Sequence, residues 1–395
     1  MVRPTNDCEV PQPASGPSTS VDQPMSESST AARFFDSRAA YMMFIRSTNE
    51  KAAVAARVGR ELAKLKPGER ALRIFDAGMG DASVLSQLMR EMHQAFTHIP
   101  WLIVGKEISV EDVRQALERM PDRLSEHPET VFVVTNMHYR EAPALKPDRP
   151  DDLVWRNVAL EGSTAHEFAN QIHDLYPTVA KDWEVRTSPK SGNPLYLRPA
   201  ALVIYRRDRE FLLRPTIPQP ENVEGLYDLV IASQTYRART SADRKVKTVL
   251  APLSAALAPG GRLIGVHAHG KDPGLEIIQG VWPGEQPYPT GRHELIEVAS
   301  RTIGDSSLKF DPGTDDESIF QFHLHSMPTE KTEHIGTPSI LATWNAAAYV
   351  AQIDEPRLSE AMASGSYLEP TTAVMRKHDA VWFNNESYVI SRDSA

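Results

Sequence analysis

The stretch "RIFDAGMGDASVLSQLMREM", residues 73–92, decides how the chain is read. A short apolar run ends in Asp76, Gly78 and Gly80 follow, and Val84, Leu85, Leu88, Met89, Met92 and Phe96 then recur at helical spacing. This predicts a buried strand, a tight glycine turn and an amphipathic helix over 82–96. A dinucleotide loop would carry Gly or Ala at position 83, where Ser83 stands, and a phosphate loop would end in Gly-Lys-Ser/Thr, which is absent. Asp76, just before the turn, gives no help to a pyrophosphate. The loop suits a ligand without phosphate that carries a cationic end.

The pattern repeats outward from this unit. "PWLIVGKEI" (100–108), "TVFVVTNM" (130–137), "LYDLVIASQ" (226–234) and "RLIGVHAHG" (262–270) read as further strands. "VEDVRQALERM" (110–120) and the stretch carrying Val246, Val249, Leu250, Leu253 and Leu257 read as helices between them. Nearly continuous apolar strands alternating with helices imply an α/β fold, a mostly parallel Rossmann-like sheet with helices on both faces. "SSLKFDPGTDDESIFQFHLHSM" (306–327) reads as an antiparallel hairpin closing the sheet edge. Upstream, the helix over about 50–65 places Val54, Val58 and Leu62 on one stripe, with Asn49 as N-cap and a stop at "KPGE" (66–69).

Residues 1–31, rich in Pro, Ser, Thr and acids, lack the apolar groups to offset chain entropy and read as a disordered tail. The main domain is expected over 32–330. Within it, 141–220 is an insertion that the alternation does not require, holding a helix near "TAHEFANQIHDLY" (164–176) and a hairpin at "ALVIYRRDREFLLRP" (201–215). Residues 331–395 form a C-terminal extension ending in the strand "AVWFNNESYVIS" (380–391).

The 395 residues carry a formal charge of −9, which argues against a nucleic-acid-binding surface. The single cysteine, Cys8, excludes an intrachain disulfide and a cysteine zinc site. No apolar run approaches the ~20 residues that span a bilayer, and the first residues lack the apolar core of a secretion signal. A cytoplasmic protein without membrane partners is expected.

Ligands of open α/β sheets collect at the carboxyl ends of the strands. Those ends carry suitable chemistry. Glu107, after the second strand, offers two acceptor oxygens to a ribose. Asn136 and Met137, after the third, stand where an adenine edge would lie. Ser233 ends the fourth. With Asp76, Gly78, Met79 and Gly80, they point to S-adenosylmethionine, which joins adenosine to a sulfonium and an amino acid. "DAGMGDA" (76–82) fits D-x-G-x-G-x-[GA], and on it the chain resembles class I S-adenosylmethionine-dependent methyltransferases.

More narrowly, three segments resemble the histamine N-methyltransferase family: "FIRSTNEK" (44–51), "IASQTY" (231–236) and "VWFNNESYVIS" (381–391). The resemblance implies a substrate lid built from both chain ends, with Glu50 on a substrate amine and Gln234 and Asn385 on the acceptor. The long insertion has no counterpart in that family's compact pattern. The acceptor implied is a small molecule, an amine or ring nitrogen. Tyr41, Phe44, Tyr236, Trp344 and Trp382 are candidate wall residues. His267 or His269, after the fifth strand, is a candidate proton acceptor. The pairs "HAH" and "HLH", which include His323 and His325, lack an acid that would complete a metal set, and no metal is expected. Arg206, Arg207, Arg209 and Arg214 read as a charged hairpin tip or as an anion clamp. The clamp would fit a phosphorylated or prenyl-diphosphate acceptor methylated at carbon. A methyltransferase-like scaffold that binds without transferring is the remaining alternative.

Overall fold

The computed structural model describes residues 38–66, 71–189, 192, 194–325, 335–378 and 380–394. The expected tail, Cys8 and the "PGE" of the expected helix stop lie outside the described residues.

Twelve strands are present among them: β1 (Leu72–Asp76), β2 (Trp101–Lys106), β3 (Thr130–Thr135), β4 (Val154–Leu160), β5 (Val185–Thr187), β6 (Pro194–Tyr196), β7 (Ala200–Arg206), β8 (Tyr227–Ser233), β9 (Leu257–Ala268), β10 (Leu308–Asp311), β11 (Ile319–His323) and β12 (Trp382–Arg392). Ten form one sheet in the order β10-β12-β9-β8-β1-β2-β3-β7-β4, with β11 also on β12, and β5 and β6 pair separately. The run β3-β2-β1-β8-β9 is parallel throughout. The expected Rossmann-like, mostly parallel sheet is therefore present. The strand order reverses between β1 and β8, so a crevice opens outside their carboxyl ends.

Three apolar clusters hold the layers. Alternate residues of β1, Leu72 and Ile74, face one cluster with Val54, Val58, Leu85, Leu88 and Val113. Phe75 faces the opposite cluster with Val246, Leu250, Leu253 and Leu295. This period-two division is what a sheet covered on both faces requires. A third cluster joins Phe44, Ile277, Phe322, Trp344, Leu358 and Phe383. It packs the Arg38–Ser47 helix against helices of the last 60 residues. No helix among the described residues is long and apolar enough to cross a membrane.

Several expectations need correction. Strands β10 and β11 do not form a hairpin with each other. They follow one another along one edge of β12, which runs antiparallel to both and to β9. The final strand thus enters the main sheet, where its eight buried residues supply the partner that neither short strand could provide alone. The "ALVIYRRDREFLLRP" hairpin is absent as well. All seven residues of β7 are buried, and it pairs with β3 on one side and β4 on the other, widening the sheet by two strands. The arginines beyond it fold into a short helical turn because they pair locally, Arg206 with Asp208 at 2.7 Å and Arg207 with Glu210 at 2.6 Å. Asn49 makes no side-chain cap; its Oδ1 accepts the His323 N–H at 2.6 Å and ties the helix start to β11.

Asn136 fastens the segment that leads into β7 to the end of β3. It is fully buried, its Oδ1 accepts the Ala200 N–H at 2.8 Å, and its Nδ2 donates to the Arg198 and Asp182 carbonyls at 3.0 and 3.3 Å. Asn136→Ala deprives three backbone groups of a partner at once and should lower the unfolding free energy by about 2–4 kcal/mol. Urea denaturation measures this, and a loss under about 0.5 kcal/mol would show that the insertion is held by other means.

Candidate functional site

A cavity of about 820 Å3 is lined by residues from both chain ends and from several strand ends, among them Glu50, Lys51, Gln234, Tyr236, Ala268 and Asn385. The geometry follows from strand pairing. Asn385 lies opposite Ala268, the last residue of β9, and Gln234 follows β8 directly. Gln234 Nε2 donates to Asn385 Oδ1 at 3.4 Å. Gln234 also holds a left-handed backbone, φ +52°, which is strained for a side chain of this kind. Its N–H donates to the Val266 carbonyl at 2.9 Å, and this fixes the turn that aims it. Asn385 is fully buried, and its Nδ2 has no hydrogen-bond partner among the described residues. The buried Thr235 Oγ1, on the same wall, lacks one too. Unpaired buried donors and acceptors are rare and costly, so these two atoms mark a place for a polar ligand.

The glycine loop adjoins this cavity. Gly80 has φ +55°, and a Cβ there would stand 3.2 Å from the Tyr41 hydroxyl. A Cβ at Gly78 would stand 3.3 Å from Thr235 Cγ2 and 3.4 Å from the Ser233 carbonyl oxygen. Both Tyr41 and Thr235 belong to the cavity wall. Asp76 lies beneath the loop, almost fully buried, and accepts the Gly78 N–H at 3.2 Å. Burial pushes its carboxyl up to about 7, against the opposing pull of the Gly78 N–H and the Lys51 ammonium.

Glu107 Oε1 accepts the N–H groups of Ile108 and Ser109 at 2.7 and 2.8 Å, and Oε2 accepts that of Gly80 at 3.0 Å. A carboxylate has about four lone-pair sites, so Oε2 keeps one for a further donor. Of the two acceptor oxygens expected to be open, Oε1 is filled by two backbone donors and Oε2 alone keeps a free position. Asn136 and Met137 are corrected more sharply. Asn136 spends its amide on the insertion, and Met137 is fully buried in the core on the Phe75 face. The ends of β2 and β3 instead present Ile108, His138 and Tyr139 to the cavity. The Met79 side chain also turns inward, over Gly105, where a Cβ would collide with its sulfur; only its backbone stays at the loop.

The charge of the cavity departs from expectation. Glu50 Oε2 lies 3.0 Å from Lys51 Nζ, so the neighbouring ammonium already neutralises it. Burial works against the Lys51 charge, but Glu50 outweighs it and holds the ammonium above its ordinary range. Lys106, Arg237 and Arg244 also line the wall, and Lys106 Nζ lies 5.0 Å from the centre of the Tyr139 ring. None of Lys51, Lys106, Arg237 and Arg244 was singled out from sequence. Only "KE" at 106–107, a lysine beside a strand-end acid, carried a usable signal. Of the candidate wall aromatics, Tyr41, Phe44 and Tyr236 line the cavity, while Trp344 is in the helical cluster and Trp382 pairs with His323.

His267 does not open directly on the large cavity. It is buried, with Nδ1 2.7 Å from the Tyr236 hydroxyl and Nε2 2.8 Å from Glu386 Oε1. Among the described residues no group of three or more His, Cys, Asp or Glu is placed to hold a metal. The Arg206–Arg214 cluster does not form a clamp at the site. β7 runs antiparallel to β3, so Arg206 lies toward the amino end of β3, opposite the cavity, and its charge is taken by Asp208.

No family model matches the chain, and no curated protein matches it. Solved structures do. One is the StiE O-MT, 12% identical, covering 87% of this chain and 73% of that one at a TM-score of 0.33. A second is a geranyl diphosphate methyltransferase in complex with GPP and sinefungin, 12% identical over 86% of this chain and 77% of that one, TM-score 0.31. A third is a phosphoethanolamine N-methyltransferase of Haemonchus contortus, 10% identical over 85% of this chain and 53% of that one, TM-score 0.29. The fold rests on the strand order and directions given above.

Asp76 gives this site a pH signature. Its folded-state value near 7 lies above the ordinary 3.8, so its contribution to stability is complete below that ordinary value and is lost as pH rises through the folded one. The wild-type melting temperature should therefore fall as pH rises from about 4 to about 7 and level off above that, and Asp76→Asn, which keeps the acceptor for Gly78, should flatten that fall. Parallel profiles of the two proteins would contradict the assignment.

Proposed function

We propose that the protein is an S-adenosylmethionine-dependent methyltransferase acting on a small molecule. The observation that carries this is the join between the glycine loop and the cavity, at the crevice between β1 and β8 where the strand order reverses. The residues present fit the cofactor. Gly78 and Gly80 allow close backbone approach, Glu107 Oε2 retains one acceptor site for a hydroxyl, and the buried Asp76 lies where a cationic group would be welcome. The cofactor supplies a methyl group on positive sulfur. The chain's own part is to orient the acceptor and exclude water.

The acceptor site lies against the hydrogen-bonded pair Gln234 and Asn385. The free Asn385 Nδ2 is a donor, so it suits a lone pair on a ring nitrogen or a hydroxyl oxygen. The lid of both chain ends, with Glu50 from one and Asn385 from the other, is part of this reading. An amine tail anchored on Glu50, as in the histamine N-methyltransferase family, has less support, because the Lys51 ammonium, 3.0 Å from Oε2, already balances the charge of that carboxylate. Lys106, Arg237 and Arg244 on the same wall favour a second reading, an acceptor that also carries a phosphate or carboxylate.

Titration calorimetry should show binding of S-adenosylmethionine and of S-adenosylhomocysteine. Gly78→Arg, which fills the gap beside Thr235, should abolish it, and Glu107→Ala should weaken it by at least about tenfold. Asn385→Ala should leave cofactor affinity within about twofold and lower turnover instead. Absence of binding heat with a folded wild-type protein would overturn the reading.

A further inference from the structure

Beside the acceptor site runs a continuous chain of buried polar groups that methyl transfer to a neutral nitrogen does not need. Glu386 follows Asn385 on β12 and lies opposite His267 in the ladder with β9. Four donors surround its carboxylate. Oε1 takes His267 Nε2 at 2.8 Å and the Arg292 N–H at 2.9 Å; Oε2 takes His269 Nδ1 at 3.1 Å and Arg292 Nη1 at 3.0 Å. This commits Nε2 of His267 as a donor. In the neutral ring Nδ1 is then an acceptor, and the Tyr236 hydroxyl, 2.7 Å away, donates to it. The Tyr388 hydroxyl, 2.9 Å from that of Tyr236, donates to Tyr236 in turn. One lone pair remains on the Tyr236 oxygen.

Tyr236 lies on the wall of the large cavity, next but one to Gln234. A small void of about 10 Å3, lined by Gln234, Tyr236, Lys245 and His267 among others, continues from it. That is room for about one water molecule. Tyr236, a residue of the large cavity's wall, is thus hydrogen-bonded to a buried imidazole that does not itself line that cavity.

We propose that Tyr236, His267 and Glu386 form a proton-accepting relay, and that the methyl acceptor is a hydroxyl group. The proposal rests on the methyl-transfer reading and names the acceptor chemistry of that same site. The acceptor oxygen forms its bond to the methyl carbon as the carbon–sulfur bond breaks, and the bonding pair stays on sulfur. The hydroxyl proton passes to the Tyr236 oxygen while Tyr236 passes its own proton to His267 Nδ1. Glu386 then faces an imidazolium. The products are a methyl ether, a neutral thioether and a protonated His267, which later returns its proton to water. A nitrogen acceptor differs: a neutral amine attacks with its lone pair and loses its extra proton afterwards, to solvent.

The surroundings fit a base that starts neutral. Burial holds His267 below its ordinary range, with Glu386 pulling the other way and Lys245 and His269 adding to the depression. Lys245 Nζ donates to the Ala238 carbonyl at 3.0 Å, and burial holds it at about 8. Arg292 is shared between Glu386 and Asp315, so two carboxylates face one guanidinium and leave a negative charge to balance the imidazolium. Tyr236 is the residue that meets the acceptor, His267 receives the proton, and Glu386 positions His267.

The test uses the full chain with tritiated S-adenosylmethionine and four probes of similar size: phenol, catechol, aniline and imidazole. Label should enter the hydroxyl probes only. His267→Asn and Tyr236→Phe should each lower kcat by about 100-fold or more, with calorimetric cofactor affinity within about twofold of wild type. Glu386→Gln should shift the acid limb of the kcat–pH profile to lower pH. Label in aniline or imidazole, wild-type turnover in both variants, or cofactor binding without transfer to any hydroxyl probe would overturn the relay. Failure of the wild type to bind the cofactor would instead overturn the methyl-transfer reading. A measurement that needs no variant is nitrogen NMR of histidine-labelled wild type. His267 should be the Nε2–H tautomer, and an Nδ1–H tautomer would overturn the proposal whatever the variants do.

Discussion

The ladder between β12 and β9 carries the architecture of the site. Seven residue pairs, from Asn385 opposite Ala268 to Ser391 opposite Arg262, lock the last strand into the sheet in a single register. A slip of one residue would turn every side chain to the other face. In the observed register Asn385 reaches Gln234, Glu386 reaches His267, and Ser387 Oγ accepts the Arg57 Nε–H at 2.8 Å, which ties the Glu50–Leu62 helix to the same strand. The cavity wall, the buried relay and the placement of the first helices thus share one set of backbone hydrogen bonds.

The second constraint is the reversal of strand order at β1 and β8. Parallel strands leave their carboxyl ends on one edge, and the crossovers on either side of the reversal diverge. The Asp76–Ala82 turn and the Gln234 turn border that crevice from its two sides. Both contain left-handed backbone, at Gly80, Ala82 and Gln234. Glycine takes that conformation without strain, whereas Ala82 and Gln234 are held in it by their surroundings. At Gln234 the tether is the Val266 carbonyl, so β9 orients the side chain that faces the acceptor.

The sheet was legible from sequence because its strands are apolar and buried on both faces, and because Gly78, Gly80 and the 82–96 stripe mark one strand–turn–helix unit without ambiguity. The convergence of Glu50, Gln234 and Asn385 on one cavity came from resemblance to short segments, not from periodicity. What failed did so where neighbours remote in sequence decide. Asn136 reads as a strand-end amide open to ligand, but Ala200, Arg198 and Asp182 of the insertion consume it. Met79 lies between two loop glycines, yet Gly105 leaves a hole that its thioether fills. β10 and β11 carry the pattern of a hairpin, yet a strand some sixty residues later intervenes. Lys51 looks like a solvated charge until the fold turns it toward the cavity, and nothing in its local sequence distinguishes it from other lysines, whereas Lys106 carried only the signal of its strand-end neighbour Glu107.

The central claim is that one site, formed at the β1–β8 crevice and closed by β12, holds the cofactor against the acceptor. A crystal structure with S-adenosylhomocysteine bound tests it most directly. The ligand should lie over Gly78 and Gly80 with a hydroxyl within hydrogen-bond distance of Glu107 Oε2, and its sulfur should face the Gln234–Asn385 pair, within about 5 Å of a near-attack acceptor position. Ligand found elsewhere, for example in the separate cavity of about 320 Å3 beside Arg57 and Arg262, or a sulfur turned away from Asn385, would contradict the account.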